Sequence, residues 1–387
     1  MVVSLIGTWM QSVAQSWLVY RLTHSEFLLG VTWFCTHIPV LVLAPVGGLA
    51  ADRFSRHRIV VTTQTLSMLQ ALGLAALTLS GHIQVWHIMA FALMLGTINA
   101  FDIPGRQSLF VELVGREELL NAISLNSAIF NLARVAGPSV AGFLVAALGE
   151  GMCFLLNGLS FVAVIGSLLA MRLNRTGGST SKSSLSNLLD GFRYARRAPA
   201  VAALLVMSAA VNLSSAPVVA LAPVFADGIF GQGSLGLGLA TGAMGVGAVA
   251  GVLTLARRDG VAGLPSVIFQ SGCCMAISAL AIAWAPSFSA LLLAMVVTGF
   301  GVFRQNAAAN TLIQSVIPDE YRGRIMAIYT MMVIGFLPIG SLAAGSLGHV
   351  IGARWTVFAA GSFCLVAAAV FGLLLPRFQK WIGPTFN

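Results

Sequence analysis

Long apolar runs alternate with short polar breaks along the chain, and the repeat of that alternation is the length of a membrane span. Twelve runs stand out, near residues 1–20, 28–51, 59–80, 85–103, 120–148, 152–171, 199–225, 235–256, 262–284, 287–312, 322–347 and 352–375. A helix needs about 20 apolar residues to cross a bilayer. Runs this long exclude barrel strands, and backbone groups in hydrocarbon must pair within their own segment, so each run predicts a transmembrane helix. The longest hydrophilic stretch, Asn174 to Pro199, leaves six runs before it and six after it. It opens rich in Gly, Ser and Thr, as a flexible linker does. Leu185, Leu188, Leu189, Phe192 and Tyr194 then alternate with Arg193, Arg196 and Arg197, which predicts an amphipathic helix lying on the membrane surface.

Composition strengthens this picture. The 387 residues are 58% hydrophobic and 9% charged, with a mean hydropathy of +0.91, whereas soluble chains carry about a quarter charged residues. Lipid must therefore be the solvent. Of 21 Lys and Arg, Arg21 and Arg354 fall in loops on one side and Arg134 and Arg304 within spans, leaving 17 on the other side. That bias predicts cytoplasmic termini. It also makes the +9 charge an orientation signal and a contact with anionic lipid headgroups, not a nucleic-acid surface. Cys35, Cys153, Cys273, Cys274 and Cys364 all lie in apolar runs without metal-ligand spacing and read as small core residues. The first run lacks a basic flank and a small-residue cleavage site, so no signal peptide is expected.

The halves also correspond at an offset of 203 residues: Gly30 with Gly233, Gly48 with Gly251, Gly96 with Gly299, Glu117 with Glu320, Gly137 with Gly340 and Gly149 with Gly352. Two halves repeated in the same orientation are one plan of membrane transporters. The segment Gly48-Leu49-Ala50-Ala51-Asp52-Arg53-Phe54-Ser55-Arg56 places an acid and arginines in a turn between two spans. It resembles the signature loop of the major facilitator superfamily, with Ser55 where the pattern has a second glycine. Asp102-Ile103-Pro104-Gly105-Arg106, read as the close of span four, resembles a turn of the exporter branch that includes the enterobactin exporter and macrolide-efflux relatives. Gly137-Pro138 with Gly142 partly resembles the fifth-helix motif of antiporters.

The resemblance implies an all-α membrane protein of twelve transmembrane helices in two pseudo-symmetric six-helix bundles. The expected divisions are 1–173 for the first bundle, 174–198 for the linker with its amphipathic helix, 199–376 for the second bundle and 377–387 for a short cytoplasmic tail. Relatives usually carry a short polar segment before the first span, so beginning at Met1 predicts a shortened first helix, from a late start or an upstream start codon. The resemblance further implies a cytoplasmic latch: Gly48 admits a neighbouring helix, Asp52 accepts from the start of span eleven near Glu320 and Arg322, and Arg56 pairs with Asp102. Arg53 and Arg106 belong to the same charge cluster; the alternative is that these arginines only fix topology.

Span five carries Ser124, Ser127, Asn131 and Arg134 at spacings of three and four, one polar stripe on a helix. Arg134 falls near the bilayer centre, where an arginine costs at least about 2.5 kcal/mol and must face a cavity or a partner. It either binds an anionic or acceptor-rich substrate or braces the helix against carbonyls and Asn131. Other cavity candidates are Trp9, Gln11 and Gln15 in span one, Asn212 and Ser215 in span seven, and Arg304 and Asn310 in span ten; buried amides equally serve as glue between helices. His37 is the histidine well inside a span and, with Asp102, a candidate for proton coupling; a packed, backbone-bonded imidazole is the alternative.

No nucleotide loop, zinc motif or nucleophile elbow is present, which argues against an enzyme and against an ATP-driven pump. No cofactor or metal is expected. The expected protein is a monomeric secondary transporter of the bacterial inner membrane, exchanging protons for small amphipathic compounds, drug-like or siderophore-like. The alternatives are a facilitator or importer of an anionic metabolite with the same fold, and a non-transporting receptor or inactive homologue.

Overall fold

A computed structural model describes residues 2–114, 133, 136–171, 185–258, 260, 261 and 263–382, and every regular element among them is helical. In chain order they are α1 (Val2–Thr23), α2 (Glu26–Arg53), α3 (Arg56–Leu79), α4 (Val85–Val114), α5 (Ala136–Leu148), α6 (Glu150–Ala170) and α7 (Leu185–Arg197). They continue with α8 (Pro199–Ala220), α9 (Gly233–Ala256), α10 (Leu264–Ala283), α11 (Phe288–Val316), α12 (Asp319–Thr330), α13 (Phe336–Ile351) and α14 (Ala353–Ile382). Two π-helical turns, Val224–Ile229 and Met331–Gly335, follow α8 and α12.

Ten helical segments among the described residues are long and apolar enough to cross a membrane, one of them being Glu320–Ile351, which joins α12, its π-turn and α13. The first and fifth expected spans fall on α1 and α5. α1 is long enough at 22 residues, but glutamines and hydroxyls dilute its apolar character. Those hydroxyls are answered locally: Thr8 donates to the Ser4 carbonyl at 2.9 Å and Ser16 to the Ser12 carbonyl at 3.0 Å. Large apolar side chains such as Phe143, Leu293, Val350 and Leu373 stand exposed, the surface a lipid solvent requires.

By their contacts the residues fall into two units. The first comprises 1–181 with 223–242, and the second 182–222 with 243–387. The cut therefore differs from the linker-based boundaries: the π-turn after α8 and the first turns of α9 pack with α1 and α5. There a side chain on Gly238 would strike the Pro138 carbonyl and Gly142, and one on Gly228 would strike the Tyr20 hydroxyl.

Within the first unit α4 does not end at Pro104 as the sequence suggested. It runs through to Val114. Pro104 has no N–H to give the Ala100 carbonyl one turn back, and that carbonyl is the atom nearest to where a side chain on Gly47 of α2 would project. The glycine lets α2 close on the free acceptor, a contact a side chain would block. Close approach in this segment thus belongs to Gly47; a side chain on Gly48 would meet nothing within 4 Å among the described residues.

Repeat-related positions also share local geometry. Gly149, before α6, has φ 82° and ψ 169°, and Gly352, before α14, has φ 82° and ψ 158°. Side-chain-bearing residues avoid that region. α2 meets α4 through Gly96 against the Thr36 carbonyl, and α9 meets α11 through Gly299 against the Met244 carbonyl.

Candidate substrate site

The second unit holds an open cavity of about 490 Å³ walled by α9, α11, α12 and the π-turn after α12. Phe303 and Val333 contribute to its apolar lining, and Asn306, Asn310, Thr311, Tyr329 and Thr330 form its polar lining. Phe303, Asn306 and Asn310 follow one another at spacings of three and four, so α11 presents them on one face.

A chain of hydrogen bonds orients the amides. Asn212 of α8 donates through Nδ2 to the Ser208 carbonyl at 2.8 Å and to Asn306 Oδ1 at 2.9 Å, and Asn306 Nδ2 returns a bond to Asn212 Oδ1 at 3.2 Å. Both amide hydrogens of Asn212 are used, while Asn306 keeps one. Asn310 Oδ1 accepts from Gln314 Nε2, so the Asn310 amide hydrogens stay available among the described residues. The hydroxyls are committed differently. Thr311 donates to the Ala307 carbonyl at 3.1 Å, Thr330 to the Met326 carbonyl at 2.9 Å, and Tyr329 to the Asn306 carbonyl at 2.6 Å. Their oxygens present lone pairs only. Among the described residues no Asp, Glu, Lys, Arg or His lines this cavity. An ionised ligand would lose hydration there without a counter-charge, whereas an uncharged one with hydrogen-bonding groups and an apolar body is matched.

The first unit uses the same residue types in another way. Gln11 Nε2 donates to Gln70 Oε1 at 2.9 Å, Asn157 Nδ2 donates to Gln11 Oε1 at 2.6 Å, and Gln70 Nε2 donates to the Phe91 carbonyl at 3.2 Å. These amides tie α1, α3, α4 and α6 together and are buried. Gln15 is also buried in α1.

The remaining sequence-derived candidates scatter. Trp9 lies against Gly137, where a side chain would strike its Cβ. Ser215 donates to the Asn212 carbonyl at 2.9 Å. Arg304 is absent from the cavity lining: its guanidinium sits 5.2 Å from the Phe300 ring centre, its Cβ faces Gly251, and its buried Nε has no hydrogen-bond partner among the described residues. His37 Nδ1 donates to the Trp33 carbonyl at 2.9 Å, and its ring stacks on Trp33 with centres 5.2 Å apart. Asp102 is buried and accepts from Thr63 Oγ1 at 2.8 Å and Gln64 Nε2 at 2.9 Å, with Arg106 Nε at 3.4 Å. Asp52 and Arg53 are exposed at the end of α2, and Glu320 and Arg322 are exposed at the start of α12. Asn131 and Arg134 lie outside the described residues, as do Ser124 and Ser127. Tyr329, Thr330, Ser208, Gln70 and Asn157 were not among the sequence candidates. Their signal, polar groups inside apolar runs, was present, but only packing shows which of them converge.

The profile of a family described as transmembrane secretion effectors, within the major facilitator superfamily, matches residues 1–381. The chain belongs to that family. Its members are transporters rather than enzymes. The chain is 25% identical over 374 residues to the staphyloferrin A transporter of Staphylococcus aureus (strain NCTC 8325 / PS 47), covering 95% of this chain and 92% of that one. It is 23% identical over 385 residues to the multidrug efflux pump Tap of Mycolicibacterium fortuitum, covering 97% and 93%. It is likewise 23% identical over 381 residues to the enterobactin exporter EntS of Escherichia coli O1:K1 / APEC, covering 98% and 91%. Among solved structures it resembles the nucleoside transporter NupG, with a TM-score of 0.74 at 12% identity over 97% of this chain and 98% of that one. It also resembles a bacterial homologue of the iron transporter ferroportin, with a TM-score of 0.71 at 18% identity over 100% and 97%. The fold is that of major facilitator transporters, and the chain is a multi-pass membrane protein.

Proposed function

We propose that the chain is a secondary active exporter that expels small amphipathic organic compounds from the bacterial cytoplasm in exchange for protons. Two six-helix bundles, 1–173 and 199–376, give the substrate alternating access across the inner membrane, with both termini in the cytoplasm and one copy of the chain sufficing. The observation that carries this reading is the cavity wall of the second unit, uncharged among the described residues, whose amides and hydroxyls suit neutral polar groups beside an apolar body. Relatives named as a multidrug efflux pump, a staphyloferrin A transporter and an enterobactin exporter support transport of small organic compounds. The described lining favours this over import of an anionic metabolite, because it holds no counter-charge among the described residues.

In this reading Asp102 carries the coupling proton, because it is a buried carboxylate held by Thr63, Gln64 and the half-exposed Arg106. His37 has its Nδ1 proton engaged by the Trp33 carbonyl and acts as a structural group. The loop around Asp52, Arg53 and Arg56 works as the inner gate. Flux of the uncharged amphipathic dye Nile red into inverted membrane vesicles tests the whole. Proton-driven export predicts accumulation that an uncoupler abolishes. Accumulation insensitive to the uncoupler overturns coupling, and no accumulation of any of a panel of amphipathic dyes overturns export. An Asp102→Asn chain is expected to exchange dye down its gradient but not to concentrate it.

A further inference from the structure

Helix α7 does more than lie along a membrane surface. Its inward positions, buried Gly191 and Ala195 with half-buried Tyr194, recur at spacings of three and four, and they meet α12. The Tyr194 and Tyr321 rings stack with centres 4.5 Å apart and planes 18° from parallel. Asp190 Oδ2 lies 3.8 Å from Arg324 Nη1, and the same guanidinium sits 5.6 Å from the Tyr321 ring centre. Gly191 fills the notch between them: a Cβ there would lie 3.0 Å from Ile328 Cδ1 and 3.2 Å from Arg324 Cβ. Burial holds the Tyr194 hydroxyl above its ordinary pKa, with Tyr321 and Glu320 adding to it.

α12 is a short rod of 12 residues held at both ends. α7 grips its first half, and at its last turn Tyr329 donates to the Asn306 carbonyl of α11. Beyond it comes the π-turn Met331–Gly335, where the regular hydrogen-bond ladder is broken and a pivot is available. Tyr321 and Tyr329 are eight residues apart, about 12 Å along the rod, so a tilt at the α7 contact carries through to the residues that line the cavity.

We propose that Asp190, Gly191 and Tyr194 are positioning residues that hold α12 so that Tyr329 and Thr330 face the cavity, and that α7 thereby sets the affinity of the site. The proposal rests on the reading of this cavity as the substrate site, and two readouts on the full-length chain separate them. The first needs no substrate: the rate of N-ethylmaleimide labelling at a Thr330→Cys position in proteoliposomes, located by mass spectrometry so that native cysteines do not interfere. Gly191→Leu, which wedges the two helices apart, and Asp190→Ala with Tyr194→Ala, which removes the grip, should each change that rate about tenfold, within the usual range of coupling between sites. Tyr194→Phe keeps the stacked ring and should keep the original rate. The second readout is Nile red flux, where the same variants should raise KM about tenfold while kcat moves less. Labelling rates unchanged in both variants, with the protein monodisperse and fully helical, overturn the proposal. Changed labelling with unchanged KM leaves α7 positioning α12 but removes the cavity from the substrate path.

Discussion

The first unit's amide network and the second unit's amide pair are built from the same side chains and do opposite work. Gln11, Gln70 and Asn157 are 1–2% exposed and bond to one another and to a backbone carbonyl. Asn212 is similarly buried, but its partner Asn306 opens onto a cavity, with Asn310 one turn further along α11. The difference is the neighbouring empty volume, not the chemistry of the residues. An amide surrounded by helices is a strut, and one beside a cavity keeps a hydrogen for a ligand. Buried amides bonded across helices are a common means of association in membranes, so the first network needs no ligand to explain it.

The comparison breaks most readily at its buried end. Gln11→Leu strands Asn157 Nδ2 and Gln70 Oε1 together, and each abandoned group costs about 1–3 kcal/mol. The expected result is a large fall in the thermal unfolding temperature in detergent, with residual transport kinetics intact. Lost transport at an unchanged unfolding temperature would make Gln11 a ligand contact instead.

The repeat-related turns come next. Gly149→Ala and Gly352→Ala each force a side chain into a glycine-only region, at about 1–3 kcal/mol. Similar losses from the two are expected, and a loss from one alone would show that the halves do not use these turns alike. Asn310→Leu should spare stability, because its partner Gln314 is exposed, yet raise KM roughly fivefold for the loss of about 1 kcal/mol of hydrogen bonding. An unchanged KM would remove α11 from ligand contact. Arg193→Ala opens an exposed ion pair with Asp190 at 3.2 Å and should shift stability by less than about 0.5 kcal/mol. A larger shift would mean that α7 docking depends on Arg193 as well as on the α12 contacts.

Much of the architecture was legible before any coordinates. The spans were visible because lipid demands long apolar runs, and α2, α3, α6, α8, α9, α10 and α11 match those runs closely. The end of span four was misread because proline usually stops a helix, and here a glycine of α2 closes on the carbonyl that Pro104 leaves free. The expectation that α7 only lies along the membrane missed its packing on α12, since an amphipathic pattern marks an apolar face without naming what covers it. Arg304 looked like a cavity group by depth, yet it turns away over Phe300 while Asn306 and Asn310 on the same helix face the opening. Tyr329 and Thr330 went unnoticed because they are a single polar pair in a long apolar stretch.

Sequence alone determined that this protein dissolves in lipid, that it crosses it many times, and where its polar residues fall along each helix. Those properties follow from solvation and periodicity, which act along one segment at a time. Only the tertiary structure decided which polar groups meet each other and which adjoin a cavity, because those outcomes depend on how neighbouring helices are rotated and on the few glycines that let them close.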